Sequence, residues 1–280
     1  MRRRLRTLAA LAPPLAALFL MTVPVAATAE DLSIVDTHVH YSQSAWDAHA
    51  PHEALALLDR GGVRRAFVSS TPDEGTLRLY DAAPDRVVPV LRPYRAPGQL
   101  GAWHEDASVP AYLETRLRRG IYRGIGEFHL YGAAAASPVV REIAALARRD
   151  GLFLHCHCDA EAMALLLGLE PGVRMLWAHA GMWSGPDVVG RLLDAHPRLH
   201  VELALRSDVA PSGRLDAEWR ALFLRHSDRF MVGTDTWTPS RWPELPAVQA
   251  WVRRWLADLP PDVARRIAHE NAERLARPAP

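Results

Sequence analysis

The chain has 280 residues, with 33 Lys plus Arg against 32 Asp plus Glu, for a formal charge of +1. Charges of both signs are interspersed and no basic block stands out, which argues against nucleic acid as a partner. The only cysteines, Cys156 and Cys158, lie two apart in one predicted strand, a poor geometry for a disulfide, so the core must hold the fold.

In chain order, a leader comes first. Arg2, Arg3, Arg4 and Arg6 make a basic start, an apolar stretch runs from Leu8 to Val25, and Ala27-Thr28-Ala29 has the small-x-small form of a cleavage site. Residues 1–29 are therefore expected to be a secretory signal peptide. That leaves residues 30–280 as a mature domain that is periplasmic or secreted, with no stable membrane span. A retained anchor is the other reading, against which Pro13, Pro14 and Pro24 interrupt the stretch. Beyond it, short apolar runs alternate with amphipathic segments. Strands are predicted at Leu32–His38, Arg65–Ser70, Arg86–Leu91, Tyr122–Glu127, Leu152–His157, Val173–His179, Leu199–Leu203 and Arg229–Asp235. Helices are predicted at Pro51–Arg60, Asp73–Ala82, Val109–Arg119, Ser137–Arg149, Ala160–Leu167, Pro186–Ala195, Leu215–Arg225, Pro243–Ala257 and Pro261–Leu275. Pro51 and Pro186 suit a first helical position, and Gly61-Gly62, Asp150-Gly151 and Pro171-Gly172 punctuate the joints. Such alternation implies parallel strands, and a mature part of about 250 residues has the size of a single (β/α)8 TIM barrel. An open doubly wound sheet is the alternative, but no Gly-rich nucleotide turn follows the first strand.

In a barrel of this kind, reactive residues collect at the C-terminal ends of the strands. The first strand runs into His38 and His40, whose side chains, two apart, point the same way. The fourth ends at Glu127, the fifth in Leu154-His155-Cys156-His157, the sixth in Ala178-His179-Ala180-Gly181 and the eighth in Gly233-Thr234-Asp235. Ionisable groups closing apolar strands are costly unless paired or metal-bound. Imidazoles and carboxylates converging from five strands make an N/O donor set suited to zinc or a similar divalent ion. His155 and His157 share a parity and both could face the axis; Cys156 and Cys158 have the other parity and should face the helices as buried apolar residues.

Asp36-Thr37-His38-Val39-His40, the histidines of strands five and six and Asp235 resemble the amidohydrolase superfamily. Ala178-His179-Ala180-Gly181 and Asn271-Ala272-Glu273-Arg274-Leu275 resemble its amidohydrolase-2 branch, which also contains decarboxylases. Glu127, where other members carry a carbamylated lysine, is similar to the TatD-like branch, whose strand-four Glu bridges two metals. The resemblance spans the mature chain. It implies a metal-dependent hydrolase holding one or two divalent ions, in which His38, His40 and Asp235 hold the first. Glu127 would bridge to a second held by His157 and His179. With a single ion, His157 would join the first set and His179 would orient water. The family's spacing, and its position nearer the mouth, select His157 over His155, which stays as the alternative ligand. Asp235 would act as the proton acceptor.

Arg92 and Arg206 lie just beyond strand ends, where a guanidinium could hold a substrate carboxylate or phosphate, or form a rim salt bridge. His129 shares Glu127's parity and could touch substrate, and Trp46, Trp103, Trp183 and Trp237 fall in loops at the expected mouth. The expected activity is cleavage of an ester, amide, lactone or phosphoester in a small molecule. Decarboxylation of a small carboxylic acid is the alternative, and metal binding without catalysis a third. A serine hydrolase is disfavoured because no Gly-x-Ser-x-Gly elbow occurs. The sequence leaves the oligomeric state open.

Overall fold

All eight apolar runs form strands in the computed structural model, which describes residues 32–278. They are β1 (Ile34–Val39), β2 (Val63–Val68), β3 (Val87–Leu91), β4 (Gly124–Leu130), β5 (Phe153–Cys158), β6 (Arg174–Trp177), β7 (Leu199–Glu202) and β8 (Phe230–Met231). Every adjacent pair is parallel and the strand order follows the chain. Two further bonds close the ring: Thr37 N–H donates to Val232 O at 2.9 Å and Asp235 N–H to His38 O at 2.7 Å. The expected (β/α)8 barrel is therefore the observed fold. The leader expected over residues 1–29 lies outside the described residues. Among the described residues no helix is long and apolar enough to cross a membrane.

The helices Pro51–Arg60 and Pro186–Ala195 keep their expected bounds, each with proline in the first turn. Three departures bear on the site. A short helix over Gln43–Ala48, not anticipated, follows β1. The last helix is not continuous: a wider turn over Arg266–Glu270 separates Pro261–Arg265 from Asn271–Leu275. Finally, β4 does not end at Glu127. Gly126 pairs with His155 and Phe128 with Cys156, so Glu127 is the extra residue of a bulge, and β4 continues to Leu130. Bulges re-aim side chains next to functional sites. Here Glu127 sits among inward-facing groups although Ile125, two residues earlier, packs outward in the main core.

Inside the barrel the residues form two layers. Val35, Phe67, Val88, Val90, Phe153, Leu176 and Met231 make an apolar floor, sealed below by Ala272, Leu275 and Ala276. The rings of Phe67 and Phe153 lie 5.5 Å apart. Gly124 leaves the space that Phe153 fills, since a Cβ there would come within 2.5 Å of the ring. Each such side chain contributes about 1.5–3 kcal/mol by leaving water, so the floor is both stabilising and dry. Above it His38, His40, Glu127, His155 and Glu202 make a buried polar layer. Cys156 and Cys158 are free, buried and turned toward the helices, as their parity required.

His200 is the register partner of the inward-facing Leu176. Burial, then the neighbouring Arg229, push its imidazole down to about 4 from an ordinary 6.5. Between those pH values the unfolded chain takes up a proton that the native chain refuses. The contribution of His200 to stability should therefore be flat above pH 6.5 and decline toward pH 4, by up to about 3 kcal/mol. Urea denaturation at pH 7.5 and 4.5 should show a smaller acid loss in His200→Gln than in wild type; equal losses would refute the assignment.

Candidate active site

The first and last strands are tied by one buried carboxylate. Asp36 Oδ1 accepts from His38 N–H and Thr234 N–H, both at 3.1 Å, while Oδ2 accepts from Thr234 Oγ1 at 2.7 Å and Gln249 Nε2 at 3.0 Å. Burial nevertheless pushes this carboxyl up to about 6. The seam brings His38 and His40 beside Asp235, whose backbone is left-handed (φ 55°) and whose carbonyl accepts from Arg241 Nε at 2.6 Å.

Three imidazoles are held by the ring nitrogen that faces away from the centre. His38 Nδ1 donates to Glu202 Oε1 at 2.9 Å, His40 Nδ1 to Ser69 O at 2.7 Å and His179 Nδ1 to Ala204 O at 3.0 Å. Carboxylate and carbonyl oxygens only accept, so Nδ1 carries the proton in each ring and the three Nε2 lone pairs are left to converge. His38 Nε2 and His40 Nε2 stand 3.0 Å apart. Glu127 Oε2 lies 3.1 Å from His40 Nε2 and 3.5 Å from His38 Nε2, and Glu127 Oε1 lies 3.7 Å from His179 Nε2. Asp235 Oδ1 is 3.4 Å from His40 Nε2 and 3.6 Å from His38 Nε2, and Oδ2 is 3.9 Å from His179 Nε2. His157 joins through Nδ1, 3.1 Å from Glu127 Oε1.

Glu202, at the end of β7, is the main omission from the sequence reading. It is fully buried, orients His38 and also accepts from His179 N–H and Ala204 N–H, both at 2.6 Å. Burial raises its pKa, but His38 and His179 outweigh that and hold it well below the usual carboxylate range. A charged residue closing an apolar strand was the signal used elsewhere, and Val201-Glu202-Leu203 carries it too. His155 is buried directly below, its ring 4.8 Å from that of His38 and its Nε2 without a hydrogen-bond partner. Burial holds its pKa well below the ordinary value.

Two features fit these residues to a cation. Burial disfavours a charged His38, yet Asp235, Glu127 and Glu202 together raise it well above its ordinary pKa, whereas burial and Arg92 lower His40. The centre thus attracts positive charge at the point where Nε2 lone pairs face each other, a contact that needs a proton or a cation between them. Asp235 Oδ1 is buried with no hydrogen-bond partner, an expense that a coordinated cation would remove. His38 and His40 with Asp235, and His38 with Glu127 and His179, are each close enough to share an ion.

A cavity of about 530 Å³ opens above the centre. His40, Glu127, His157 and Asp235 form its base, with Arg92, His129, Ser42, Ser44 and Thr71 on its polar wall. Arg92 is buried, donating through Nη2 to Glu127 Oε2 at 2.7 Å and through Nε to Glu127 O at 2.9 Å. His129 stacks on His157 with ring centroids 4.3 Å apart and its Nδ1 meets Tyr94 Oη at 3.2 Å. Pro97, Leu100, Met182, Leu205 and Trp237 form an apolar rim. Of the four tryptophans expected at the mouth, only Trp237 lines the cavity. Trp103 is buried, its indole N–H on His129 O at 2.9 Å; Trp46 packs on Tyr41; Trp183 is 93% exposed. Arg206 is not on the wall at all. Leu205 adopts φ 62°, which turns Leu205 to the mouth and Arg206 back into the protein, where its guanidinium is committed to backbone carbonyls and Asp208. The substrate contact expected of Arg206 has no physical basis in that position.

No protein-family profile matches the sequence, and no curated protein matches it. Solved structures share its fold. A TatD homologue from Escherichia coli K12 is 18% identical over 88% of this chain and 98% of its own, with a TM-score of 0.59. A protein from Acinetobacter baumannii described as a probable 2-pyrone-4,6-dicarboxylic acid hydrolase, with citric acid bound, is 14% identical over 87% and 99%, with a TM-score of 0.58. An amidohydrolase from Burkholderia multivorans with bound HEPES is 12% identical over 87% and 99%, with a TM-score of 0.55. At these identities the likeness is one of fold.

Glu202→Gln should separate the carboxylate's orienting role from its shape. An amide presents NH2 where one oxygen now accepts, leaving Ala204 N–H, or His38 and His179 N–H, without an acceptor. A loss of about 1–3 kcal/mol in urea denaturation is expected, and an unchanged midpoint would show that Glu202 is dispensable.

Proposed function

We propose that the protein is a metal-dependent hydrolase of the amidohydrolase type, acting on a small molecule with a polar reacting group and an apolar body. One observation carries the reading: Nε2 atoms of His38, His40 and His179 and the unpartnered Oδ1 of Asp235 converge at the base of a cavity open to solvent. His38, His40, Glu127, His179 and Asp235 would hold the ion, with His157 reaching it beside Glu127; zinc is the ion the N/O donor set suits best. Such an ion, when bound, supplies a Lewis acid and lowers the pKa of water to about 7.

The rest of the chemistry belongs to the chain. With Oδ1 turned to the ion site, Asp235 has its second oxygen, Oδ2, to take a proton from the attacking water and return it to the leaving group. Arg92 neutralises part of the charge of Glu127 and keeps its carboxylate facing the centre. Leu100, Leu205 and Trp237 present 40–61% of their surface around the mouth and would cover the apolar part of a substrate. The small acidic molecules held by two fold neighbours, citric acid and HEPES, suit a cavity walled by Arg92 and histidines.

Purified protein should retain a divalent ion near stoichiometry by elemental analysis. It should turn over at least one class in a panel of lactones, amides, esters and phosphoesters, and lose that turnover on chelation. Asp235→Asn should lower kcat by about 10²–10⁴-fold with metal retained. Carbon dioxide release from aromatic acids without hydrolysis would redirect the assignment to a decarboxylase, and an unaltered kcat in Asp235→Asn would remove the proton role.

Export is part of the same proposal and rests on the basic start, apolar stretch and Ala27-Thr28-Ala29 of the leader. N-terminal sequencing of protein from the host's periplasm or medium should begin at Glu30; an intact Met1 there would argue for an anchor.

A further inference from the structure

His179 stands on a segment that L-residues rarely adopt. His179 (φ 55°, ψ 25°) and Ala180 (φ 47°, ψ 37°) are left-handed, Gly181 follows at φ 72°, and Met182 takes φ 57° with ψ −62°. Met182 N–H donates to His179 O at 2.8 Å and Trp183 N–H to Gly181 O at 2.6 Å, so a left-handed turn runs into a tight γ-turn. Three of the four residues carry a Cβ. Conformations of this kind persist only where the surroundings dictate them.

Besides Glu202, which accepts from His179 N–H, one side chain holds this turn. Arg206 reaches back from the loop after β7. Its Nη1 donates to His179 O and to Ala180 O, both at 3.1 Å, and its Nη2 to Ser184 O at 2.9 Å. The guanidinium is itself fixed. Asp208 accepts from Nε and from Nη2, both at 2.7 Å, and the group lies 4.7 Å over the ring of Trp219, whose indole N–H also donates to Asp208 at 3.0 Å. Only a planar fork serves three carbonyls and a carboxylate at once; an ammonium would not. The turn so held fixes where His179 Nδ1 meets Ala204 O and therefore where Nε2 points.

We propose that Arg206 is a positioning residue for His179: its guanidinium locks the left-handed turn that aims His179 Nε2 at Glu127 and Asp235. Losing it weakens cation binding although no donor atom is touched. The cation clause rests on the metal reading above; the conformational clause does not.

Arg206→Met keeps the alkyl stem against Trp219 and removes the fork. In metal-free protein held at a pH high enough for the ring to be neutral, ¹⁵N NMR of the imidazoles should report a single Nδ1–H tautomer for His179 in wild type and a mixture in Arg206→Met. Competition with a chromophoric chelator should show zinc bound about 10–100-fold more weakly by Arg206→Met. In a His179→Ala background the same substitution should change zinc affinity by less than about threefold, because the two residues act as one unit. Unchanged tautomer and affinity in a folded Arg206→Met protein would overturn the proposal, and so would an equal loss in the His179→Ala background. Should Arg206→Met fail to fold, Asp208→Asn leaves the guanidinium but loosens it. Weaker zinc binding with a mixed His179 tautomer is then expected, and wild-type values for both would overturn the clamp. A wild-type protein that binds no divalent ion would defeat the metal reading alone, and the tautomer comparison would still decide whether Arg206 positions His179.

Discussion

Three carboxylates, Glu127, Glu202 and Asp235, share the mouth of the barrel, where among the described residues the guanidinium of Arg92 alone pairs with one of them, and the rest of that end is organised around the imbalance. Buried charges are tolerated when paired and hydrogen-bonded, and costly otherwise. Glu127 meets the requirement through Arg92 and His157, and Glu202 through an imidazole and two backbone N–H groups. Asp235 does not: one oxygen remains unpartnered although buried. The imidazoles, pinned through Nδ1, leave their Nε2 lone pairs facing the same point. A site that gathers negative charge and lone pairs while withholding donors is arranged for a cation.

The two interior layers divide the work. An apolar floor excludes water from below, and the same dryness strengthens each electrostatic interaction above it. The seam at Asp36 matters for a different reason. It joins strands from opposite ends of the chain, so His38 and His40 meet Asp235 only when the ring closes. Closure of the fold and assembly of the site are therefore one event.

Most of this was legible in the sequence because two simple periodicities govern it. Parity placed His38 with His40 and turned Cys156 and Cys158 outward, and the strand-end rule found the corners at Glu127, His157, His179 and Asp235. The failures occur where the backbone breaks its period. At β4 a bulge inserts Glu127, so its inward aim does not follow from parity with the outward-packed Ile125. After β7, Leu205 takes φ 62°, and Arg206, which alternation would send to the mouth with Glu202, turns away from it. The omission of Glu202 is of another kind, since its position obeys the rule and its role as a tether for His38 emerges only once β1 and β7 are seen across the barrel.

Among the described residues, the non-glycine residues with positive φ, namely His179, Ala180, Met182, Leu205 and Asp235, all follow β6, β7 or β8 at the mouth. Each such residue costs on the order of 1–3 kcal/mol, and a chain selected for stability alone would place glycine or a different turn there. Their clustering has a mechanical reading. A regular strand end presents side chains only along the pleat, and these three corners need His179, Glu202 and Asp235 to meet groups on β1 and β4 across the ring. Left-handed residues supply the change of direction, and Glu202, Arg206 and Arg241 hold the turns by their carbonyls and N–H groups. Left-handed residues other than glycine are thus concentrated, among the described residues, at the end where geometry must be imposed, on an apolar floor that supports it.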